Sequence, residues 1–271
     1  MEKLKEKAIR EIIDSSIKNF ANGFELRHTS EVNDKDGIIN AKKNNVFISE
    51  LGDELIFYSA FVRSFDSSFG NLLENIGNSI VKLSYEVRGK ISSFLLPQQT
   101  QHIDYLMTAY EKHDSKPSVD VYKNFTCLKP SNITSYLTSH ETDNYFYDEI
   151  NKKHYLIELK LGGDLDNKKS KAEKIALLNE YFILKNSLTN DEDISIYLAT
   201  AYNKYGEDNP WKQERVRQFF ADEELLIGKK YWNFVCKDDK GFDIIIDQYK
   251  ISANYIKESL NRIKTLYFEK D

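Results

Sequence analysis

Residues 144–201 carry the pattern that leaves this chain the fewest ways to fold. Two short aromatic and branched segments, NYFYDEI and HYLIELK, flank the polar residues Asn151, Lys152 and Lys153, which read as the turn of a β-hairpin. A helical pattern follows from about Lys168 to Leu188, with Ile175, Leu178 and Phe182 on one face. Then comes DISIYLATA, in which Ile194, Ile196 and Leu198 alternate as in a strand. Strand, helix, strand in that order implies a right-handed crossover and so an α/β sheet.

Around this segment the chain reads mostly as helix. Leu4, Ala8, Ile12, Ile13, Ile17 and Phe20 make one apolar face, and an Asn- and Asp-rich loop is expected to run to about Asn45. Further helices are expected over 47–62, 69–85 and 98–110, with Asp66, Ser67 and Ser68 as capping candidates. From Lys212 onward the pattern returns to helix, broken near 206–210, Gly228 and Gly241. With four prolines, eleven glycines and no low-complexity linker, one domain over 1–271 is expected. Its parts are a helical stretch to about 130, a core of about 131–205 and a helical stretch of about 206–271.

No window is apolar enough to span a membrane, and the N-terminal MEKLKEKAIREII lacks a signal-peptide core, so a cytoplasmic protein is expected. Cys127 and Cys236 have no metal or disulfide spacing and are expected to be buried thiols. The five histidines likewise share no metal spacing. A net charge of -5 excludes indiscriminate coating of nucleic acid but not a DNA enzyme whose positive charge is confined to one cleft.

Glu158 and Lys160 end the second hairpin strand, and period-two alternation puts both on one face. A hairpin centred near 150–152 brings Asp143 opposite 158–160. Two carboxylates and a lysine then converge. Such a set suits a hard cation like Mg²⁺, with the lysine placed to hold a phosphate or orient a water. Glu158-Leu159-Lys160 is the sole Glu-x-Lys in the chain. Without a ligand the same residues would be a surface hairpin with a salt bridge, worth little.

Gly162 and Gly163 follow the strand and allow a sharp turn into a helix start bearing Asn167, Lys168, Lys169 and Lys171, suited to phosphate contact. Asp164, Asp166 and Asn167 are the polar groups placed to meet base edges.

The D-x14-E-x-K arrangement resembles the PD-(D/E)xK nuclease core, with Thr142 where the motif has proline. RSFDSSFGNLLENIG (63–77), IELKLGGDLDNKKSKAEKIALLNEYF (157–182) and ELLIGKKYWNFVC (224–236) together resemble the TdeIII-type restriction endonucleases. The resemblance implies a central mixed sheet flanked by helices, with helical additions at both ends. It also implies Mg²⁺-dependent hydrolysis of double-stranded DNA at GGNCC by a homodimer, with a DNA methyltransferase as functional counterpart. Asp143, Glu158 and Lys160 take the catalytic positions, and the Leu159 carbonyl joins Asp143 and Glu158 as a metal ligand. Glu74 is expected to bring a further carboxylate, with Glu86 as the alternative. Other readings are a repair or junction nuclease of the same superfamily and a non-catalytic DNA-binding protein on the same fold.

Overall fold

The structure, a computed structural model, describes residues 1–127, 137–162, 164–188 and 192–268, apart from the side chains of Glu141 and Asp143. In chain order its helices are α1 (Lys3–Glu31), α2 (Val46–Ser49), α3 (Asp53–Val81), α4 (Pro97–Glu111), α5 (Asp120–Lys123), α6 (Asn167–Ser187), α7 (Glu214–Arg217), α8 (Lys229–Cys236) and α9 (Gly241–Phe268). The strands are β1 (Glu86–Phe94), β2 (Leu137–Asp148), β3 (Lys153–Lys160), β4 (Asp193–Thr200) and β5 (Leu225–Ile227). They divide into two compact units, 1–80 with 240–271, and 81–239. These breaks lie elsewhere than the boundaries expected near 130 and 205.

The first unit is helical. In α1, Ile9, Ile13, Ile17, Ala21 and Phe24 recur every three or four residues and are buried, whereas Leu4 is 80% exposed. The face is therefore rotated from the one expected, and the helix runs on through Asn22 and Gly23 to Glu31. Helix α9 packs along α1: Ser259 Oγ donates to the Ala21 carbonyl at 3.0 Å, and Arg262 makes a bidentate pair with Glu25 at 2.7 Å. Phe24, Ile56, Phe57 and Ile263 share one core, each contributing about 1.5–3 kcal/mol on full burial. Helix α3 is continuous through Asp66, Ser67 and Ser68, where a cap was expected.

Among the described residues the second unit holds a five-stranded sheet of order β1-β2-β3-β4-β5. Strands β1, β2 and β3 pair antiparallel, and β3, β4 and β5 parallel, with α6 as the crossover between β3 and β4. The mixed sheet with flanking helices is the expected fold class. Strand β1 was not expected, since EVRGKISSF alternates weakly and carries three charges and a glycine. Short β5 likewise falls where helix was expected. Leu156, Ile196 and Leu198 pack with Leu177, Leu178 and Phe182 of α6, while Tyr155 and Tyr197 meet Phe234 of α8 on the other face. With both faces covered, β4 is buried at nearly every position, as its apolar ISIYLA requires. Cys236 is buried but Cys127 is only half-buried, against expectation.

Candidate active site

The hairpin register is the one the sequence implies: Tyr145 pairs with Leu156, Tyr147 with His154 and Asp148 with Lys153. Asp148 fixes the turn. Its carboxylate accepts from the Ile150 and Asn151 amides at 3.1 and 3.2 Å, from Asn151 Nδ2 at 2.8 Å and from Lys237 Nζ at 2.7 Å.

Among the described residues the β2–β3 pairing ends at Tyr145–Leu156, and β2 shifts register against β1 between Arg88 and Lys90. Position 143 falls in that irregular stretch. Carried two residues on, the hairpin register sets it level with Glu158. Irregularities of this kind recur beside active sites, where they re-aim a side chain. The neighbours Thr142 and Asn144 are buried, and Thr142 Oγ1 and Asn144 Oδ1 have no hydrogen-bond partner among the described residues. Orphaned buried oxygens of this type call for a water or an ion.

At the C-terminal end of β3, Lys160 Nζ lies 2.6 Å from Glu158 Oε1 and 2.8 Å from Glu173 Oε1. Glu158 and Lys160 share a strand face, as expected, and Glu173 reaches it from the second turn of α6. All three side chains are about three-quarters covered. Burial alone would lower the lysine's pKa, but the bonds to Glu158 and Glu173 outweigh it and hold the pKa above the ordinary value. The ammonium is thus fixed in charge and position. Sequence reasoning missed Glu173; the one available signal was that an acid in the second turn of the crossover helix returns to the end of the preceding strand.

The other expected residues separate into groups. Lys168 and Lys169 are exposed on the first turn of α6, with no ion pair found among the described residues. Asp166 caps that helix, accepting from the Lys169 amide at 2.7 Å, and Asn167 donates to Gln218 at 2.9 Å. Lys171 is paired with Glu111 at 2.8 Å. Asp164 is exposed, and its oxygen accepts from Lys204 at 2.9 Å and Gln213 at 3.2 Å, which hold its carboxyl below the usual range. Glu74 is a half-buried residue of α3, in the other unit. Glu86 sits level with Tyr147 and His154, four residues or about 13 Å along β3 from Glu158, and is paired with Arg88 at 2.9 Å. It does not join the site. Gly162 is needed for tightness: a Cβ there would lie 2.5 Å from Tyr202 Oη, on the turn after β4. Gly163 lies outside the described residues.

Oxygen donors prevail here, as a hard divalent cation requires. Among the described residues no group of three or more His, Cys, Asp or Glu could hold a metal, a search that leaves out the Asp143 side chain. The residues present, the Glu158 and Glu173 carboxylates at the end of β3, supply the oxygen donors such an ion takes.

No helix among the described residues is long and apolar enough to cross a membrane. No curated protein and no solved structure matches the chain. A family model described as type II restriction endonuclease, HinfI, matches residues 5–253. With nearly the whole chain covered and a mixed sheet carrying an acidic site at its strand ends, the chain belongs to the HinfI family of type II restriction endonucleases, site-specific deoxyribonucleases acting on DNA.

Proposed function

We propose that this endonuclease hydrolyses its phosphodiester at a PD-(D/E)xK-type centre formed by Asp143, Glu158 and Lys160, with Mg²⁺. The observation that carries the reading is the Lys160 ammonium held between two carboxylates at the open end of β3. Asp143, Glu158 and the Leu159 carbonyl would hold the cation. Bound there, a divalent ion supplies an activated water and neutralises charge at the phosphate. Lys160 donates a hydrogen bond to the phosphate oxygen or to the attacking water, and Glu173 keeps it aimed. A charge pre-organised in this way is worth most in the transition state.

Lys168 and Lys169 contact backbone phosphates, and Asp164, Asp166, Asn167 and Lys171, in the segment that follows β3, complete the DNA-facing surface. Residues 1–271 act as one endonuclease domain in the cytoplasm, as a homodimer on a symmetric site, with a DNA methyltransferase protecting the host. The target GGNCC rests on the TdeIII-type resemblance alone.

Digestion of mapped plasmid DNA with Mg²⁺, followed by sequencing of the ends, tests the reading. Wild type is expected to give discrete fragments, and Asp143→Ala, Glu158→Ala and Lys160→Ala to lose about 10²-fold or more in rate while staying folded. Near-normal rates in Asp143→Ala and Glu158→Ala would move the centre elsewhere. Fragments mapping to another palindrome would retire GGNCC and leave the chemistry standing.

A further inference from the structure

Helix α6 brings Glu173 to Lys160, so whatever sets the rotation of α6 sets that contact. Apolar packing does this poorly. Five consecutive residues, Glu180 to Leu184, are buried, so the C-terminal half of the helix is covered all round, and non-directional apolar contact favours no one angle there.

The N-terminal half is held differently. Lys174, next to Glu173, is 1% exposed, and its Nζ donates to Oε1 of Glu224, also 1% exposed, in the single turn Asp222–Glu224 that leads into β5. Glu224 is fixed in its turn. Tyr122 Oη of α5 donates to its Oε1 at 2.8 Å, and the Ala221 amide donates to its Oε2 at 2.8 Å. The rings of Tyr122 and Phe220 each lie 5.1 Å from the Lys174 ammonium. Taking two charges out of water commonly costs more than their attraction returns, and an apolar pair of similar volume is often at least as stable. Here burial outweighs the pull of Glu224 and leaves the lysine's pKa below its ordinary value. Stability alone therefore does not account for the pair, whereas direction does, since a hydrogen bond weakens steeply when misaligned.

We propose that Lys174 and Glu224 are positioning residues of the nuclease centre: their buried pair sets the rotation of α6 and so aims Glu173 at Lys160. Successive helix residues lie about 100° apart, so the angle of Lys174 dictates that of Glu173. At a side-chain radius of ~5–6 Å, a turn of about 20° moves the Glu173 carboxylate by ~2 Å. That is enough to break its 2.8 Å contact with Lys160. Glu224 is itself tied to the sheet: the next residue, Leu225, pairs with Leu198 of β4, and Thr200 of β4 pairs with Lys160. The inference deepens the proposed function and rests on the roles given there to Lys160 and Glu173.

A double-mutant cycle tests it. Lys174→Met/Glu224→Gln removes both charges yet keeps side-chain length and an acceptor for Tyr122 and Ala221, so a melting temperature near or above that of wild type is expected. Single-turnover cleavage with Mg²⁺ should slow about tenfold or more with little change in KM. In a Glu173→Ala background the same replacement should slow it no further, because the group it mis-aims is already gone. An additive loss, or a wild-type rate in the folded double variant, overturns the inference. Should that variant melt early, Tyr122→Phe removes one hydrogen bond from Glu224 without touching a charge; a smaller loss is expected, again absent beside Glu173→Ala, and an additive one overturns the inference equally. The ¹⁵N signal of the Lys160 ammonium in DNA-free protein reads the contact without cleavage. It should be protected from exchange in wild type and broadened in the double variant, and an unchanged signal counts against the pair. Broadening in a protein whose wild type cleaves no DNA would sink the nuclease reading and spare the positioning, while cleavage with an additive cycle would do the reverse.

Discussion

The Lys160 ammonium sits between Glu158 at 2.6 Å and Glu173 at 2.8 Å, and the two carboxylates are not equivalent. Glu158 belongs to the same strand face and is the one proposed to hold the cation. Once it turns to that task, Glu173 remains to orient the lysine. Glu173→Ala is therefore expected to lower kcat about tenfold or more with little change in KM, because an orientation needed in the transition state is lost. Glu173→Gln, which keeps an acceptor at the same reach, should recover part of it. Single-turnover cleavage of a duplex containing the target measures both, and a wild-type rate in Glu173→Ala would make the residue a bystander. Glu158 and Lys160 were legible in the sequence because strand alternation alone puts them on one face. Glu173 was not, since its role depends on the angle at which α6 returns across the sheet.

At the level of elements, the hairpin that sets the site depends on Asp148, a buried carboxylate with four hydrogen bonds. Burial alone would raise its pKa, but the bonds from Lys237 and Asn151 hold it below the ordinary value. A depressed folded pKa means that this stabilisation is fully present above the unfolded value, about 3.9. It is lost as pH falls through the folded one. Asp148→Asn should cost about 1–3 kcal/mol at pH 7, the scale of hydrogen bonds to a charged group. The gap from wild type should close below about pH 4. Urea unfolding at pH 7 and pH 3 checks this, and a pH-independent gap would mean that the charge is immaterial. Hairpin, crossover helix and β4 were all readable from period and turn chemistry. Strand β1 was not, because EVRGKISSF gains its strand character from pairing with β2 and has little of its own.

Across the whole molecule, a net charge of -5 repels a polyanion, so DNA affinity has to come from a few local cations. Lys168 and Lys169, exposed and without an ion pair among the described residues, are best placed to supply it. Replacing each with Ala should reduce the slope of log K against log salt by about 0.9 per lost phosphate contact. Fluorescence anisotropy with a labelled duplex in Ca²⁺ gives that slope, and an unchanged slope in both variants would make the cluster a solvated helix end. The family match and the sequence resemblance meet at the type II restriction endonuclease but differ in family, HinfI against TdeIII. The side chains proposed to meet base edges, Asp164, Asp166 and Asn167, are exposed and leave no period in the sequence.

The helical unit is assembled from chain segments that precede and follow the sheet-bearing one in sequence, with α1 lying against α9. During synthesis about 200 residues separate the end of α1 from the start of α9. At ~5–20 residues per second that interval is on the order of ten to forty seconds. For all of it α1 lacks α9, although Phe24 already has Phe61 and Phe65 of α3 to pack against. The continuous unit 81–239 meets no such delay, so the nascent chain should complete its sheet-bearing unit first and remain exposed to aggregation at its earliest helix until α9 emerges.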